Sequence, residues 1–158
     1  MENCLVSIVC NFYNHAKFAS EAIESFLMQK VNFEYELLLL DDFSKDGTDD
    51  VIRHYEKKFP NKIKAIYNKE NQGSKGVNNW TKYQFPRAKG KYIALCDGDD
   101  YWISKQKLQL QVDFLEKHKY CNYVFTKKKR LKMDNKIYSE PDLFLPEVLT
   151  LSQLLKTK

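Results

Sequence analysis

The sequence predicts an α/β domain in which a mostly parallel sheet is flanked by helices. Three observations predict it. Apolar runs of strand length recur along the chain, segments of helical periodicity stand between them, and each run ends in a short loop rich in Asn and Asp.

Leu5-Val6-Ser7-Ile8-Val9-Cys10 is the first expected strand. Ala19, Ala22, Ile23, Phe26 and Leu27 then recur at helical spacing, which predicts an amphipathic helix over residues 15–29. Glu36-Leu37-Leu38-Leu39-Leu40 reads as a strand covered on both faces. The next helix starts near Asp46 or Thr48, either able to cap it, and turns Val51 or Ile52, Tyr55 and Phe59 inward before Pro60 stops it. Residues 63–67 alternate in polarity as a short third strand. A helix is expected over residues 74–85, although Asn78-Asn79 are poor helix residues and Pro86 truncates it. Tyr92-Ile93-Ala94-Leu95-Cys96 is expected as a buried fourth strand. Ser104 caps a helix carrying Leu108, Val112 and Leu115, and residues 123–126 are expected to return as a strand.

The size of the chain, 158 residues, suits one domain with a single core, and 43% hydrophobic with 30% charged residues are globular values. No apolar run approaches the roughly 20 residues that cross a bilayer. Met1-Glu2-Asn3-Cys4 lacks a basic region ahead of a hydrophobic segment, so a cytoplasmic address is expected. Cys4, Cys10, Cys96 and Cys121 show no CxxC spacing, which favours buried reduced thiols over a disulfide frame or a zinc site. Asn79-Trp80-Thr81 matches a glycosylation sequon and reads as a chance match. Much of the net charge of +5 lies in Lys127-Lys128-Lys129-Arg130-Leu131-Lys132. Such a block can steer an anionic partner, a peripheral membrane contact among them, or can simply be a solvated strand or loop. No nucleic-acid recognition signature accompanies it.

Candidate chemistry concentrates where the fourth strand ends, in Asp97-Gly98-Asp99-Asp100. Carboxylates packed this closely repel and raise one another's pKa, so a fold that gathers them commonly supplies a cation. An oxygen-only set favours Mg²⁺ or Mn²⁺, which take one or two carboxylates together with substrate phosphate oxygens. A metal-bound phosphate ester is one reading; a solvated acidic turn is the other. In a parallel sheet the loops after the strands share one edge, and that edge binds ligands. Asn11-Phe12-Tyr13-Asn14, Asp41-Asp42-Phe43-Ser44-Lys45-Asp46-Gly47-Thr48 and Asn68-Lys69-Glu70-Asn71-Gln72-Gly73 arrive there beside the acidic cluster. Neither GxGxxG nor GxxxxGK[ST] occurs, so phosphates must be held by metal and side chains. An aspartyl-phosphate enzyme with Asp97 as nucleophile leaves the Asp41-Asp42 loop unexplained.

With these loops placed, the chain resembles the N-terminal, nucleotide-sugar-binding part of a family 2 glycosyltransferase with the Rossmann-like GT-A fold. The matching residues are Val6-Ser7-Ile8-Val9-Cys10-Asn11-Phe12-Tyr13-Asn14, the segment from Glu36 through Asp41-Asp42 to Thr48, Asn71-Gln72-Gly73, and Ala88-Lys89-Gly90 through Asp97-Gly98-Asp99-Asp100-Tyr101-Trp102. Lys107-Leu108-Gln109-Leu110-Gln111-Val112-Asp113-Phe114-Leu115-Glu116 continues the match. The resemblance implies that Asn11 and Tyr13 line the base and ribose pocket, that Asp42 hydrogen-bonds a uracil while Asp41 supports its loop, and that Lys75 reaches the nucleotide. It implies that Asp97 contacts the ribose or donor sugar, that Asp99 ligates Mn²⁺ or Mg²⁺ bridging two phosphates, and that Asp100 is a second metal contact or an anchor. The implied reaction is inverting transfer from a nucleotide-diphosphate sugar, a UDP-sugar first, to a glycan or lipid-linked glycan hydroxyl, assisted by a general base.

Two departures from the family pattern stand out. Residues 80–87 are a few positions longer than its usual spacing before Gly90. The family's acceptor half follows a segment like Leu149-Thr150-Leu151-Ser152-Gln153-Leu154-Leu155, and the sequence closes at Lys158. The expectation is therefore a C-terminally truncated GT-A domain: a nucleotide-sugar-binding core over residues 1–126, an incomplete start of the acceptor side over residues 127–158, and no identified base. Glu140, Asp142 and Glu147 are the late carboxylates. A non-catalytic nucleotide-sugar-binding module is the alternative.

Overall fold

The structure is a computed structural model that describes residues 4–126, 129–131 and 137–139. Glu140, Asp142, Glu147, Lys127, Lys128, Lys132 and the segment 149–155 lie outside the described residues. The chain forms two compact units, residues 1–110 and 111–158.

In the first unit, strands β1 (Cys4–Phe12), β2 (Glu34–Asp41), β3 (Ile63–Tyr67) and β4 (Tyr92–Asp97) alternate with helices α1 (Ala16–Leu27) and α2 (Thr48–Lys58). All neighbouring strands are parallel, in the order β3-β2-β1-β4. Parallel strands need crossovers, and helices supply them. β1 and β2 sit in the middle, and from Tyr35 to Asp41 every residue of β2 is buried. That placement explains the uninterrupted Leu37-Leu38-Leu39-Leu40 run, since a strand covered on both faces has no reason to alternate. α1 buries Ala19, Ala22, Ile23 and Phe26, the face its periodicity predicts, and α2 buries Ile52 and Tyr55. α3 (Lys107–Lys117) begins in the first unit, where Leu108 is buried and its N–H donates to Gln29 Oε1 at 3.1 Å. Ser104 caps the turn that leads into it, its Oγ accepting from the N–H of Gln106 at 3.3 Å.

Three sequence expectations are corrected. β4 is not a buried strand: Ile93 and Leu95 are 42% and 57% exposed, because β1 is its one strand neighbour among the described residues and that face has no cover among them. Residues 74–85 do not form a regular helix. They break into a 3₁₀ turn (Gly73–Lys75), a π-helical turn (Trp80–Gln84) and a second 3₁₀ turn (Phe85–Arg87). Gly76 ends the first turn in the left-handed region at φ 76°, and Pro86 cannot donate to an α-helical ladder. Residues 123–126 have no regular structure; in the second unit β5 (Lys129–Leu131) pairs antiparallel with β6 (Ile137–Ser139).

At the edge of the sheet where the strands begin, a buried carboxylate sets where β4 enters. Glu36 is 1% exposed; its Oε1 accepts from Ser7 Oγ at 2.8 Å and from the Lys89 N–H at 2.9 Å. Ser7 Oγ in turn accepts from the Gly90 N–H at 2.9 Å, and Lys64 Nζ lies 3.6 Å from Glu36 Oε2. These bonds draw residues 89–90 against β1 so closely that a Cβ on Gly90 would stand 2.4 Å from the Ser7 nitrogen. Backbone cannot yield as a flexible side chain can. Gly90→Ala is therefore expected to lower the unfolding free energy by about 2–3 kcal/mol in urea denaturation, against a smaller loss of about 1 kcal/mol for Gly47→Asn, where a Cβ meets nothing within 4 Å and only the left-handed backbone is strained.

Candidate functional site

Parallel pairing brings the four strand exits to one edge, and backbone hydrogen bonds join them in series. The Asp42 N–H donates to Phe12 O, the Asn68 N–H to Asp41 O and the Gly98 N–H to Asn11 O, each at 2.9 to 3.0 Å. Asn11 and Asp97 are register partners across β1 and β4. Of the residues singled out from the sequence, Asn11, Tyr13, Asp42, Asp97 and Asp99 thus come to the same edge.

The loop after β1 is tied to the loop after β2. Asn14, in the left-handed region at φ 55°, donates its N–H to Ser44 Oγ and accepts from the Lys45 N–H at Oδ1, both at 2.9 Å. The Asp46 and Thr48 side chains reach across to the start of α1, accepting from the N–H groups of Ala16 (3.0 Å) and His15 (2.9 Å). Asp46 also accepts from the N–H of Thr48 at 3.1 Å. Neither is the N-cap expected for α2, since Gly47 holds that position at φ 91°; Asp46 bonds N–H groups at the starts of both helices and the Thr48 side chain one at the start of α1. Tyr13 is 46% exposed beside this junction. Phe43 holds a left-handed backbone at φ 67°, with the Lys45 ammonium 3.3 Å from its ring centroid. A bulky residue there is strained, and the loop around it is pinned by the bonds just described.

Asp42 is the most heavily bonded carboxylate of the site. Its Oδ1 accepts from Asn68 Nδ2 (2.7 Å) and the Gln72 N–H (2.8 Å), and its Oδ2 from the Gly73 N–H (2.8 Å). Burial alone would raise its pKa, but these bonds and one from Asn79 outweigh it and hold the carboxyl below the ordinary range. Asp41 goes the other way. Burial raises its pKa against the bonds donated by Ser44, and its Oδ1 is buried without a partner among the described residues. Lys75, on the 3₁₀ turn Gly73–Lys75, is exposed and ion-paired with Glu70 at 2.6 Å.

At the end of β4, Asp97, Asp99 and Asp100 are exposed. Burial of its inner side and then the charges of Asp99 and Asp100 raise the Asp97 pKa, with His15 pulling it back. Gly98 lies flat on Phe12: a Cβ there would stand 2.3 Å from the Phe12 ring. Cys96 is buried, and burial with the Asp100 and Asp97 charges pushes its thiol up to about 12; burial pushes Cys10, its register partner, well up too. Both thiols stay protonated at neutral pH and are unsuited to nucleophilic work. Among the described residues no three His, Cys, Asp or Glu side chains form a metal cage. A cation held by Asp99 and Asp100 thus needs oxygens from a ligand, and a carboxylate or two completed by phosphate oxygens is the set that Mg²⁺ and Mn²⁺ accept. A groove of about 500 Å³ lined by Leu27, Lys58, Phe59, Pro60, Asn61 and Lys62 shares no residue with these loops.

Sequence reasoning missed Gln84 and Arg87. Gln84 is fully buried and donates to Asn11 Oδ1 at 3.0 Å, and Arg87 bonds Gln84. Neither stands in a periodic pattern, and only the unusual length of residues 80–87 marked the segment.

A parallel α/β sheet whose polar, acidic loops share one edge is the GT-A arrangement of glycosyltransferases, and S. aureus TarS bound to UDP matches it at a TM-score of 0.62 with 27% identity over 73% of this chain and 33% of that one. A mannosyltransferase from Pyrobaculum calidifontis in complex with GDP-Man and Mn²⁺ shares the fold at a TM-score of 0.59 and 22% identity, over 70% of this chain and 32% of that one. The chain belongs to glycosyl transferase family 2, whose family model matches residues 7–154. It is 33% identical over 154 residues to the putative teichuronic acid biosynthesis glycosyltransferase TuaG of Bacillus subtilis (strain 168), covering 96% of this chain and 57% of TuaG. To the putative glycosyltransferase EpsE of the same organism it is 38% identical, over 77% of this chain and 42% of EpsE. The chain spans only part of the length of the curated relatives it matches, 57% of TuaG and 42% of EpsE.

The charge of Asp42 is a measurable part of the architecture. A depressed folded-state pKa gives stability that is complete above the unfolded value, about 3.9, and is lost as pH falls through the folded value. Asp42→Asn, which turns an NH₂ toward backbone donors, is expected to cost about 1–3 kcal/mol in denaturant unfolding at neutral pH. The difference from wild type should shrink on acidification to about pH 2; a difference constant across that range would show that the charge is not what holds the loop.

Proposed function

We propose that this chain supplies the donor-binding core of a metal-dependent glycosyltransferase that moves a sugar from a UDP-sugar to an acceptor hydroxyl with inversion. The observation that carries the reading is the charge imbalance at one edge of the sheet. Three exposed carboxylates end β4, where burial and then the charges of Asp99 and Asp100 raise the Asp97 pKa against the pull of His15, while Asp42, at the end of β2, is held by several donors. An edge of this kind is completed by a ligand that brings a cation and phosphate together. The family membership and the nucleotide-bound structures it resembles support the same reading.

In this reading Asn11 and Tyr13 flank the base and ribose, Asp42 keeps the loop after β3 folded and faces the base, and Lys75, released from Glu70, reaches the phosphates. Asp97 orients the ribose or donor sugar. Asp99 holds Mn²⁺ or Mg²⁺, and Asp100 is a second contact or an anchor. When bound, such a cation neutralises charge on the departing nucleoside diphosphate. Residues 127–158 then begin the acceptor side, and the general base that the attacking hydroxyl requires is not assigned to any residue of this sequence.

Calorimetric titration of UDP with and without Mn²⁺ tests this. Wild type is expected to bind UDP at least tenfold more tightly with Mn²⁺, and Asp99→Asn to lose that gain. Unchanged metal-dependent affinity in Asp99→Asn would remove Asp99 from the metal, and absence of UDP binding under both conditions would remove the nucleotide assignment.

A further inference from the structure

The segment 80–87 carries a polar chain that starts at a guanidinium and ends at the donor-side edge. Arg87 has only donors, and its Nε and Nη2 both donate to Gln84 Oε1, at 3.1 and 2.9 Å. Nη2 also donates to the carbonyls of Leu39 (2.8 Å) and Lys64 (3.1 Å), so the guanidinium is fixed to β2 and β3. The oxygen of Gln84 must therefore face Arg87, and its NH₂ must face the sheet. There Nε2 shares two hydrogens among Cys10 O at 2.9 Å, Leu38 O at 3.0 Å and Asn11 Oδ1 at 3.0 Å. Turning the Gln84 amide over would set its oxygen against two carbonyls and leave Arg87 facing an NH₂. At a fully buried residue neither loss is made good by water.

The consequence passes on to Asn11. Because Gln84 offers it only N–H groups, Asn11 must turn its own oxygen inward, and its NH₂ is left pointing away from Gln84 with no acceptor among the described residues. We propose that Gln84 and Arg87 are positioning residues of the donor site: they fix the Asn11 amide as a hydrogen-bond donor toward an acceptor atom of the nucleotide, a base carbonyl or a ribose oxygen. The proposal rests on the reading that a nucleotide binds at this edge. It assigns a function to the inserted length of residues 80–87, since the wide π-helical turn Trp80–Gln84 is what carries the Gln84 side chain onto β1 and β2.

A purely structural role for Gln84 would weaken the fold without regard to Asn11, and a double-mutant cycle on the full chain separates the two. Gln84→Met keeps the side-chain length and removes the polar atoms; Asn11→Ala removes the group being oriented. UDP with Mn²⁺ is expected to bind about tenfold more weakly to either single variant, and no more weakly to the double variant than to Asn11→Ala. Equal losses from Gln84→Met in the wild-type and Asn11→Ala backgrounds, or no loss in wild type, would overturn the proposal. A second measurement needs neither ligand nor mutation. In ¹⁵N spectra of the wild type, side-chain NH₂ hydrogens of Gln84 are expected to exchange slowly and those of Asn11 rapidly. Protected Asn11 NH₂ hydrogens would place its oxygen outward and overturn the orientation directly. Failure of wild type to bind UDP at all would sink the nucleotide reading, whereas the exchange measurement would still decide which way Asn11 faces.

Discussion

Parallel pairing is the constraint on which everything else in this domain rests. Four strands running the same way must each leave the sheet at the same edge, and each must return by a crossover that covers a face. The central pair, β1 and β2, pays for no alternation because both faces are covered, which is why the sequence there is nearly continuous in apolar residues. The polar residues that do enter the sheet are held by several partners at once. Glu36 and Ser7 do this where the strands begin, and Gln84 does it near where they end. Each gathers a segment that has no regular structure of its own against the strands.

The exit edge is electrostatically uneven, and the unevenness is built by hydrogen bonds rather than by lysines or arginines. Asp42 is surrounded by N–H donors from the loop after β3 and from Asn79, so its negative charge is stabilised by the fold itself. Burial, and then the like charges of Asp99 and Asp100, disfavour the ionisation of Asp97. One carboxylate is thus held by the protein's own donors, while the other ends a strand at an exposed turn among like charges. The same contrast separates Asp41 from Asp42, adjacent in sequence yet shifted in opposite directions, because burial outweighs the donors Ser44 and Phe43 at Asp41 while four donor residues outweigh it at Asp42.

Much of this architecture is legible in the sequence. The Leu37-Leu38-Leu39-Leu40 run, the spacing of Ala19, Ala22, Ile23 and Phe26, and the stop at Pro60 each follow from burial or backbone chemistry local to the segment, and the strand exits follow from topology. The illegible parts depend on contacts between distant segments. Tyr92 to Cys96 reads as buried because its residues are apolar, but exposure is decided by the neighbours, and Ile93 and Leu95 have none on one side among the described residues. The helix expected over residues 74–85 was lost to Gly76 and to the attraction of Gln84 for strand carbonyls, an interaction more than forty residues away in sequence from Leu38. Asp46 and Thr48 read as N-caps of α2, but Gly47 takes that position, and that their side chains accept from N–H groups at the start of α1 depends on which helix begins beside them. Where Asn11, Tyr13, Asp42 and Asp97 meet was readable from strand order, whereas which way the Asn11 amide faces was not, since that is set through Gln84 by a guanidinium three residues further on.

The contact between Gly98 and the Phe12 ring links two loops that sequence alone treats as separate. The ring occupies the space that a side chain at position 98 would need, so the two positions form one unit of variation. A relative with a smaller residue at 12 can accept a side chain at 98, and a relative keeping Phe12 cannot. The path of the backbone that carries the two acidic positions on either side of Gly98 is templated from β1.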